Sequence, residues 1–259
     1  MKIFPTMKSF FLIALFITAV ARAQNPAAKD FTKPQATEVW EPKPNIVTPG
    51  TGTAPPSDAI ILFDGKDMSK WVMAADGSAA RWKMQNGIMT IDTTTGDIQT
   101  SQKFGDCQLH IEFRLPADAK SSLNRDNAGN SGVLMQERYE VQIFDSYQNE
   151  VPLYANGQIG SIYKQVIPLA NASSKPGEWN VFDIYYTAPR FRSNGSVEKP
   201  AYITVVHNGV LTLNHFEIQG TIQYIGIPRY EVHDKASVRL QSHKSPVSFR
   251  NIWIRELGP

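Results

Sequence analysis

Cysteine is almost missing from this chain. Its 259 residues include one, Cys107, so no internal disulfide can form. The fold must therefore be held together by its apolar core, and about 200 residues are enough to build one. Cys107 begins a strand-like run, where a buried structural thiol is favoured over a nucleophile because free cysteine usually behaves as a small hydrophobe.

A basic surface is also missing. The chain has 26 Lys and Arg against 24 Asp and Glu, a formal net charge of +2. Three of the positive charges, Lys2, Lys8 and Arg22, precede residue 24, so residues 24–259 carry 23 − 24 = −1. Nucleic-acid binding needs clustered Lys and Arg. We therefore expect no nucleic-acid partner.

Long apolar runs are absent except at the amino terminus. Lys2 and Lys8 come before the run Phe10 to Val20, and Ala21-Arg22-Ala23 supplies small residues at −3 and −1 of a cleavage site. This pattern is typical of a secretory signal peptide. The apolar run of about 11 residues is too short to span a bilayer, which takes about 20. We predict a signal peptide over 1–23, no membrane span, and export to the periplasm or the extracellular space.

Helical periodicity is missing from the rest of the chain. Proline and glycine interrupt residues 24–57, which predicts a linker or a strap on the domain surface. After Asp58, short strand-like runs alternate with turn pairs such as Asn86-Gly87 and Asn208-Gly209, the strongest short hairpin signal. We predict one all-β domain over 58–259, an antiparallel β-sandwich or a barrel, with longer irregular pieces at 116–130, 145–178 and 214–236.

The most informative run is 139–143. Tyr139, Val141 and Ile143 alternate with Glu140 and Gln142, and strand side chains point to opposite faces with a period of two. One face is therefore apolar, while the other presents a carboxylate beside an amide. Such a pair is typical of a surface that holds a hydroxyl-rich ligand.

Two further strands repeat this two-face pattern. Glu112 alternates with apolar residues in 108–114, and Gln241 and His243 do so in 238–243. We predict that these residues share one functional sheet face with Glu140, with His243 as a general acid or base. The alternative for each residue is a salt-bridged outer face. Aromatic residues that suit sugar faces lie in or near the longer loops: Tyr139, Tyr147, Tyr154, Tyr163, Trp179, Tyr224 and Tyr230.

A second acid beside Glu140 is missing. Glycosidases of the usual kind place two carboxylates across the scissile bond, but Gln142 stands where the second would lie. No His and Cys cluster indicates zinc, and no phosphate loop or Gly-x-Ser-x-Gly elbow is present. Oxygen-bearing residues in 124–130 give only a weak cation signal, since the spaced Glu of an EF-hand loop is absent.

Taken in order, many segments resemble one known family, the 3-keto-disaccharide hydrolases. The resemblance covers about residues 59–257. The matching segments are Leu62–Asp67 with Trp71, Trp82-Lys83 with Asn86-Gly87, His110–Arg114, Gly129–Val133, Arg138–Ile143, Asp145–Tyr147, Gly160–Tyr163, Lys175–Asn180, His207–Val210, Leu240–His243 and Phe249–Ile254. One departure is Gln241-Ser242-His243-Lys244, where many relatives carry Asp or Gly beside the histidine.

The resemblance implies a fold, a substrate and a site. The fold is a concanavalin A-like jelly roll with a concave sugar-binding face, and the substrates are glycosides already oxidised to a ketone at C3. Cleavage would proceed by elimination and then hydration. For this chemistry we hypothesise that Glu140 or His243 is the base, that Gln142 and Arg138 orient the substrate or stabilise the oxyanion, and that Tyr163 is the proton donor; the resemblance does not fix these roles. No metal ligand is assigned, and a divalent cation, Ca²⁺ or Mn²⁺, near Glu140 stays an open alternative. The predicted substrate-binding residues are Arg138, Gln142, Gln241, Asn130 and Glu112.

Two other functions remain open at this stage. A non-catalytic carbohydrate-binding module would use the same sandwich, because fold alone does not fix function. A conventional endo-glucanase-like hydrolase would cleave unoxidised glucan, and the missing acid pair argues against it. The expected partner is in each case an oligosaccharide or glycoside.

Overall fold

The computed structural model describes residues 30–119, 129–149 and 153–258. The predicted signal peptide, 1–23, lies outside these residues. The chain divides into two units, one ending at Ile46 and the other beginning at Val47. In the described part of the first unit, a short 3-10 helix spans Pro34–Thr37. Among the described residues, no helix is long and apolar enough to cross a membrane.

The second unit is an antiparallel β-sandwich of two sheets. Eight strands form the larger sheet, in the order β13-β12-β9-β6-β15-β4-β3 with β1 paired to β15, and five form the smaller one, in the order β2-β5-β14-β7-β8. The strands are β1 Ile60–Phe63, β2 Trp71–Met73, β3 Lys83–Gln85, β4 Ile88–Thr90, β5 Ile98–Thr100, β6 Cys107–Arg114, β7 Ser131–Met135, β8 Tyr139–Ile143, β9 Trp179–Thr187, β10 Arg190–Phe191, β11 Val197–Lys199, β12 Tyr202–His207, β13 Val210–Glu217, β14 Arg239–Leu240 and β15 Ser248–Glu256. Strands β10 and β11 form a separate hairpin, and short 3-10 helices span Tyr147–Asn149 and Ala155–Gly157.

The core lies between the two sheets and follows the alternation read from the sequence. In β6, Leu109, Ile111 and Phe113 are fully buried, and in β8 Tyr139, Val141 and Ile143 are. All six belong to one apolar cluster. The polar residues between them must therefore point away from the core, since successive side chains of a strand alternate faces. The prediction of an antiparallel sandwich, rather than a barrel, is thus confirmed.

The hairpin turns fall where the sequence places them. Asn86-Gly87 joins β3 to β4 and Asn208-Gly209 joins β12 to β13, and all four residues have positive φ angles, as a two-residue hairpin turn requires. The turn between β7 and β8 is different, because Gln136 and Glu137 have φ angles of 48° and 65° without being glycine.

The side chains of that unusual turn explain how it is held. Gln136 donates to the carbonyl of Phe104 and accepts from the hydroxyl of Tyr186, while Glu137 pairs with Arg239 at 3.0 Å. A left-handed residue other than glycine costs roughly 1–2 kcal/mol, so these contacts must offset that cost. They fix the start of β8, the strand that carries Glu140.

One irregular segment predicted from the sequence is partly regular in the structure. Strand β13 runs to Glu217, so the irregular piece predicted at 214–236 begins later than expected. The polar segment before β1 contacts the larger sheet, because the Thr53 carbonyl accepts from Asn251 and Trp253. Both side chains belong to β15, so this part of the segment lies on the sheet surface.

Candidate active site

The outer face of the smaller sheet carries the polar residues of β8. Glu140 and Gln142 alternate with the core residues of that strand, and they lie opposite Leu134 and Gly132 of β7 in the antiparallel register. Strand β14 follows β7 in the sheet and leads directly into Gln241. Three neighbouring strands therefore bring carboxylate and amide side chains to one surface.

A cleft with two lobes lies on this surface. The first lobe has a volume of about 220 Å³ and the second about 250 Å³. Five residues line both lobes: Asn130, Gln142, Tyr163, Tyr224 and His243. The first lobe adds Glu140, Ile222 and Gln241, and the second adds Phe144, Leu153 and Tyr154. Concave sites with a few convergent polar groups are the usual form of a ligand site.

Glu140 is the buried acid of the cleft. Glu140 is only 3% exposed. Its carboxyl group makes no hydrogen bond with any of the described residues. Burial, with a smaller contribution from the negative charge of Asp97, raises the pKa of Glu140 from 4.5 to about 8. A carboxyl group with a pKa near neutrality can both remove and return a proton at working pH.

Gly132 makes room for that carboxyl group. A Cβ atom at Gly132 would lie 2.2 Å from Oε1 of Glu140 and 2.8 Å from its Cδ, which is closer than non-bonded atoms approach. Its φ angle is not among the positive values, so glycine is needed here for space rather than for backbone freedom. Any larger residue would push the carboxyl group out of its position.

A segment paired along the free edge of β8 positions the next side chain. Gln142 donates its backbone N–H to the Ser161 carbonyl at 3.0 Å and accepts from the Gly160 N–H at 2.9 Å, so its backbone is fixed on both sides. Its side-chain Oε1 is buried and has no hydrogen-bond partner among the residues that the structure describes. A buried unpaired polar atom costs about 1–3 kcal/mol, and a ligand hydroxyl or amide-type partner in the cleft would remove that cost.

Tyr163 is held at the boundary between the two lobes. Its backbone N–H donates to the Glu140 carbonyl at 3.2 Å, and its hydroxyl lies 2.6 Å from the Tyr154 hydroxyl. Burial, followed by the hydrogen bond with Tyr154, raises the pKa of Tyr163 above its ordinary value. Its phenol is therefore protonated at neutral pH and is a proton donor rather than a base.

Lys164 fixes the tyrosines around the cleft. Its ammonium group lies 4.5 Å from the Tyr224 ring centroid, 5.4 Å from that of Tyr154 and 5.6 Å from that of Tyr163. It also donates to the Tyr224 carbonyl at 2.6 Å. Cation–π contacts at these distances attract, so one lysine holds three rings together.

The structure brings together six of the eight residues predicted from the sequence. These are Asn130, Glu140, Gln142, Tyr163, Gln241 and His243, all lining the first lobe. Arg138 does not line either lobe; its guanidinium donates to the Gln136 carbonyl.

Glu112 does not share that face. It lies on β6 in the larger sheet, whose polar side faces away from the core. Its carboxylate accepts from Arg250 at 2.6 Å and from Asn251 at 2.8 Å. Burial alone would raise the pKa of Glu112, but these hydrogen bonds outweigh it and lower the pKa. The prediction that Glu112 shares one functional sheet face with Glu140 is therefore wrong: the two residues lie on the outer faces of different sheets, on opposite sides of the sandwich.

Sequence reasoning missed several residues of the cleft. Ile222, Phe144 and Leu153 line it without any polar signal in the sequence. Gly132 and Lys164 act through their neighbours, and only the fold shows which neighbours those are. Of the aromatic residues singled out near the loops, Tyr154, Tyr163 and Tyr224 reach the cleft, whereas Tyr139 is part of the core.

A cation near Glu140 stays a prediction. In the described part of the chain, no three His, Cys, Asp or Glu side chains lie close enough together to hold a metal ion. The first lobe is lined by side chains with oxygen or nitrogen donors, among them Glu140, Gln142 and His243, and Ca²⁺ takes 6–8 oxygen ligands.

Comparison with known proteins relates the chain to glycosyl-hydrolase-like sandwich folds. The chain belongs to the family of 3-keto-alpha-glucoside-1,2-lyase-like domains, whose model matches residues 58–255. A solved structure of a candidate glycosyl hydrolase from Parabacteroides distasonis ATCC 8503 is 50% identical, with a TM-score of 0.80, over 87% of this chain and 97% of that one. A second from the same organism is 21% identical, with a TM-score of 0.57, over 77% and 94%, and supports the fold alone. No functionally curated protein matches.

Proposed function

We propose that this protein cleaves glycosides already oxidised to a ketone at C3, by elimination followed by addition of water. The observation that carries the proposal is the single buried carboxyl group of the cleft. Among the described residues, Glu140 is the one carboxylate that lines either lobe. An acid pair, which direct glycoside hydrolysis needs, is not assembled from them. The family membership supports the same chemistry.

The chemistry needs one base and no second carboxylate. The C3 ketone acidifies the proton on C2, and the base takes that proton while the C–H electrons form an enolate. When the ketone reforms, the electrons make a C1=C2 double bond and the C1–O bond to the aglycone breaks. Water then adds its oxygen to C1, and a proton returns to C2. The sum is hydrolysis of the glycosidic bond.

Glu140 is the proposed base. Its carboxylate is desolvated and has a pKa of about 8, which gives it much more basicity than an exposed glutamate while it still ionises near working pH. It can return the same proton to C2 in the hydration step. His243, which also lines the first lobe, is the second candidate, and substitution of each residue separates the two.

Gln142 and Tyr163 are the proposed partners of the enolate and the leaving group. The Gln142 amide borders the first lobe. Its Nε2 group can donate to the ketone and then to the enolate oxygen, while its buried Oε1, which has no partner among the described residues, can accept from a substrate hydroxyl. The protonated Tyr163 hydroxyl stands where the two lobes meet and can donate to the departing oxygen. Arg138 was predicted to help stabilise the enolate, but it does not reach the cleft, so this role falls to Gln142.

Export completes the proposal. The amino-terminal pattern supports cleavage after Ala23 and release into the periplasm or beyond. Amino-terminal sequencing of the protein from cytosolic, periplasmic and culture fractions tests this: a mature chain that begins at Gln24 in the periplasm or the medium is expected, and an intact chain found in the cytosol alone would refute it.

The deciding experiment is turnover by the mature protein of 3-keto-trehalose and a 3-keto-glucoside, beside their unoxidised parents, with and without chelator. Release of 3-ketoglucose from the keto substrates alone is the expected result. Cleavage of the parents would favour a conventional glycosidase. Binding without turnover of any of them would favour a carbohydrate-binding module. Loss of turnover with chelator, restored by Ca²⁺ or Mn²⁺, would establish the cation.

A further inference from the structure

The second lobe differs in chemistry from the first. The three side chains that it adds to the shared residues are Phe144, Leu153 and Tyr154, and two of them carry no polar atom. The third has one hydroxyl, which is already in contact with the Tyr163 hydroxyl at 2.6 Å. The first lobe instead adds a carboxyl group and an amide, Glu140 and Gln241.

The apolar wall of this lobe is part of the packed structure. Phe144 is only 3% exposed and packs with Leu153. The Tyr154 ring lies directly over Gly157, where a Cβ atom would be 2.2 Å from the ring carbon Cε2. Gly157 does not have a positive φ angle, so its lack of a side chain serves the close approach of the ring.

From this contrast we infer that the second lobe binds the leaving group, and that the preferred leaving group is an aromatic or other apolar ring rather than a second sugar. The inference rests on the proposed function, since it places the oxidised sugar beside Glu140. Each lobe is smaller than the roughly 300–1,000 Å³ of a whole small-molecule site, so each suits one ring. A sugar ring brings several hydroxyl groups, and the three side chains that only this lobe has offer them one polar group, the Tyr154 hydroxyl. Burying hydroxyl groups without partners is costly.

The position of Tyr163 agrees with this division of the cleft. Its ring lines both lobes, together with Tyr224. The glycosidic oxygen connects the two parts of the substrate and must therefore lie at their junction. The hydroxyl group proposed as proton donor stands at that junction, with the apolar residues beyond it.

The test compares three 3-keto-glucosides, whose leaving groups are methanol, benzyl alcohol and glucose. The three are compared first as α-glycosides and then as β-glycosides, so that the anomeric form is the same within each set. Methanol and benzyl alcohol are both simple alcohols, so the first two differ mainly in the ring that enters the second lobe. Burying a phenyl-sized group predicts a kcat/KM about 10–100-fold higher for the benzyl compound than for the methyl one. The glucosyl compound is expected to stay within about threefold of the methyl one.

Two variants and a control test whether the preference for the benzyl compound depends on the second lobe. Leu153→Ser places a hydroxyl in the apolar wall, and Gly157→Ala displaces the Tyr154 ring; each should lower the benzyl-to-methyl ratio of kcat/KM at least fivefold. Leu169→Ser makes the same change at a leucine that is 70% exposed and lines neither lobe, and should leave that ratio unchanged.

The outcomes separate the two proposals. No turnover of any keto substrate would refute the proposed function itself. Turnover of all three, with the glucosyl compound equal to or better than the benzyl one, would overturn only the inference about the leaving group. A benzyl preference that Leu153→Ser and Gly157→Ala leave intact would place the aromatic ring elsewhere and also overturn it. The wild-type comparison can overturn the inference even if a variant does not fold.

Discussion

Replacement of Glu140 by glutamine should make the protein more stable at alkaline pH while it removes activity. The pKa of the Glu140 carboxyl group rises from 4.5 to about 8 on folding, chiefly through burial. The native state therefore holds this proton more tightly than the unfolded chain does. Its contribution to stability is fully present below pH 4.5 and is lost as the pH rises through 8.

The size of the effect follows from these two values. Between pH 5 and pH 9, the linkage relation gives a loss of about 4 kcal/mol in the free energy of unfolding of the wild type from this group alone. Glu140→Gln does not titrate and does not suffer that loss. For a domain of this size, 1 kcal/mol corresponds to about 2–4 °C in Tm. The Tm difference between variant and wild type should therefore grow by about 8–16 °C from pH 5 to pH 9.

Thermal unfolding followed by circular dichroism at five pH values measures this difference. The matched control is Glu112→Gln, which also alters a buried carboxyl group but one that is paired with Arg250 and Asn251. Because the pKa of Glu112 is lowered, its contribution is present above pH 4.5 and is lost toward acid pH. Its variant should be less stable than the wild type at pH 9, with a gap that narrows below pH 4.5.

A Tm difference for Glu140→Gln that stays constant between pH 5 and pH 9 would refute the reasoning, since it would mean that Glu140 ionises in the folded protein as it does in the unfolded chain. The same variant should lose kcat/KM by about 10²–10⁴-fold, as is typical when a general base is removed. The two results together would show that the residue that lowers stability at alkaline pH is also the one needed for activity. Instability would then be the cost of a functional site.

Three further predictions concern activity. For the wild type, kcat/KM should rise about tenfold per pH unit between pH 5 and 7 and level off near pH 8, following the ionisation of Glu140; a profile that levels off below pH 6 would argue for another base. Gly132→Ala should lower kcat/KM at least tenfold on the 3-keto substrates by displacing the Glu140 carboxyl group, and wild-type activity would show that the carboxyl position does not matter. Tyr163→Phe should slow release of a poor leaving group such as methanol by about 10²-fold or more, but release of a phenolate much less, because a phenolate needs less protonation; equal losses for methyl and phenyl 3-keto-glucosides would contradict the role of Tyr163 as donor.

The alternation of apolar and polar residues made most of the sheet predictable. Eight-residue patterns such as β6, and the shorter β8, gave both the strand and its buried face, because a half-buried strand has a period of two. The three-residue strands β2 and β5 show no alternation of their own, because three residues are too few to define a period. The turn at Gln136-Glu137 carried no glycine signal, and its backbone is explained by contacts to Phe104 and Arg239, which are distant in sequence.

Glu112 and Glu140 show which properties of a side chain the sequence determines and which depend on the tertiary structure. The sequence determined that the domain is an antiparallel sandwich of its family. It also determined that each of these two acids lies on the face of its strand that points away from the apolar core. In their local patterns the two are alike. Only the fold decided that Glu112 lies beside Arg250, 138 residues further along the chain, while Glu140 is buried over Gly132 with no hydrogen-bond partner for its carboxyl group in the described part of the chain. The electrostatic character of a carboxyl group depends on its neighbours in space, and those come from other strands.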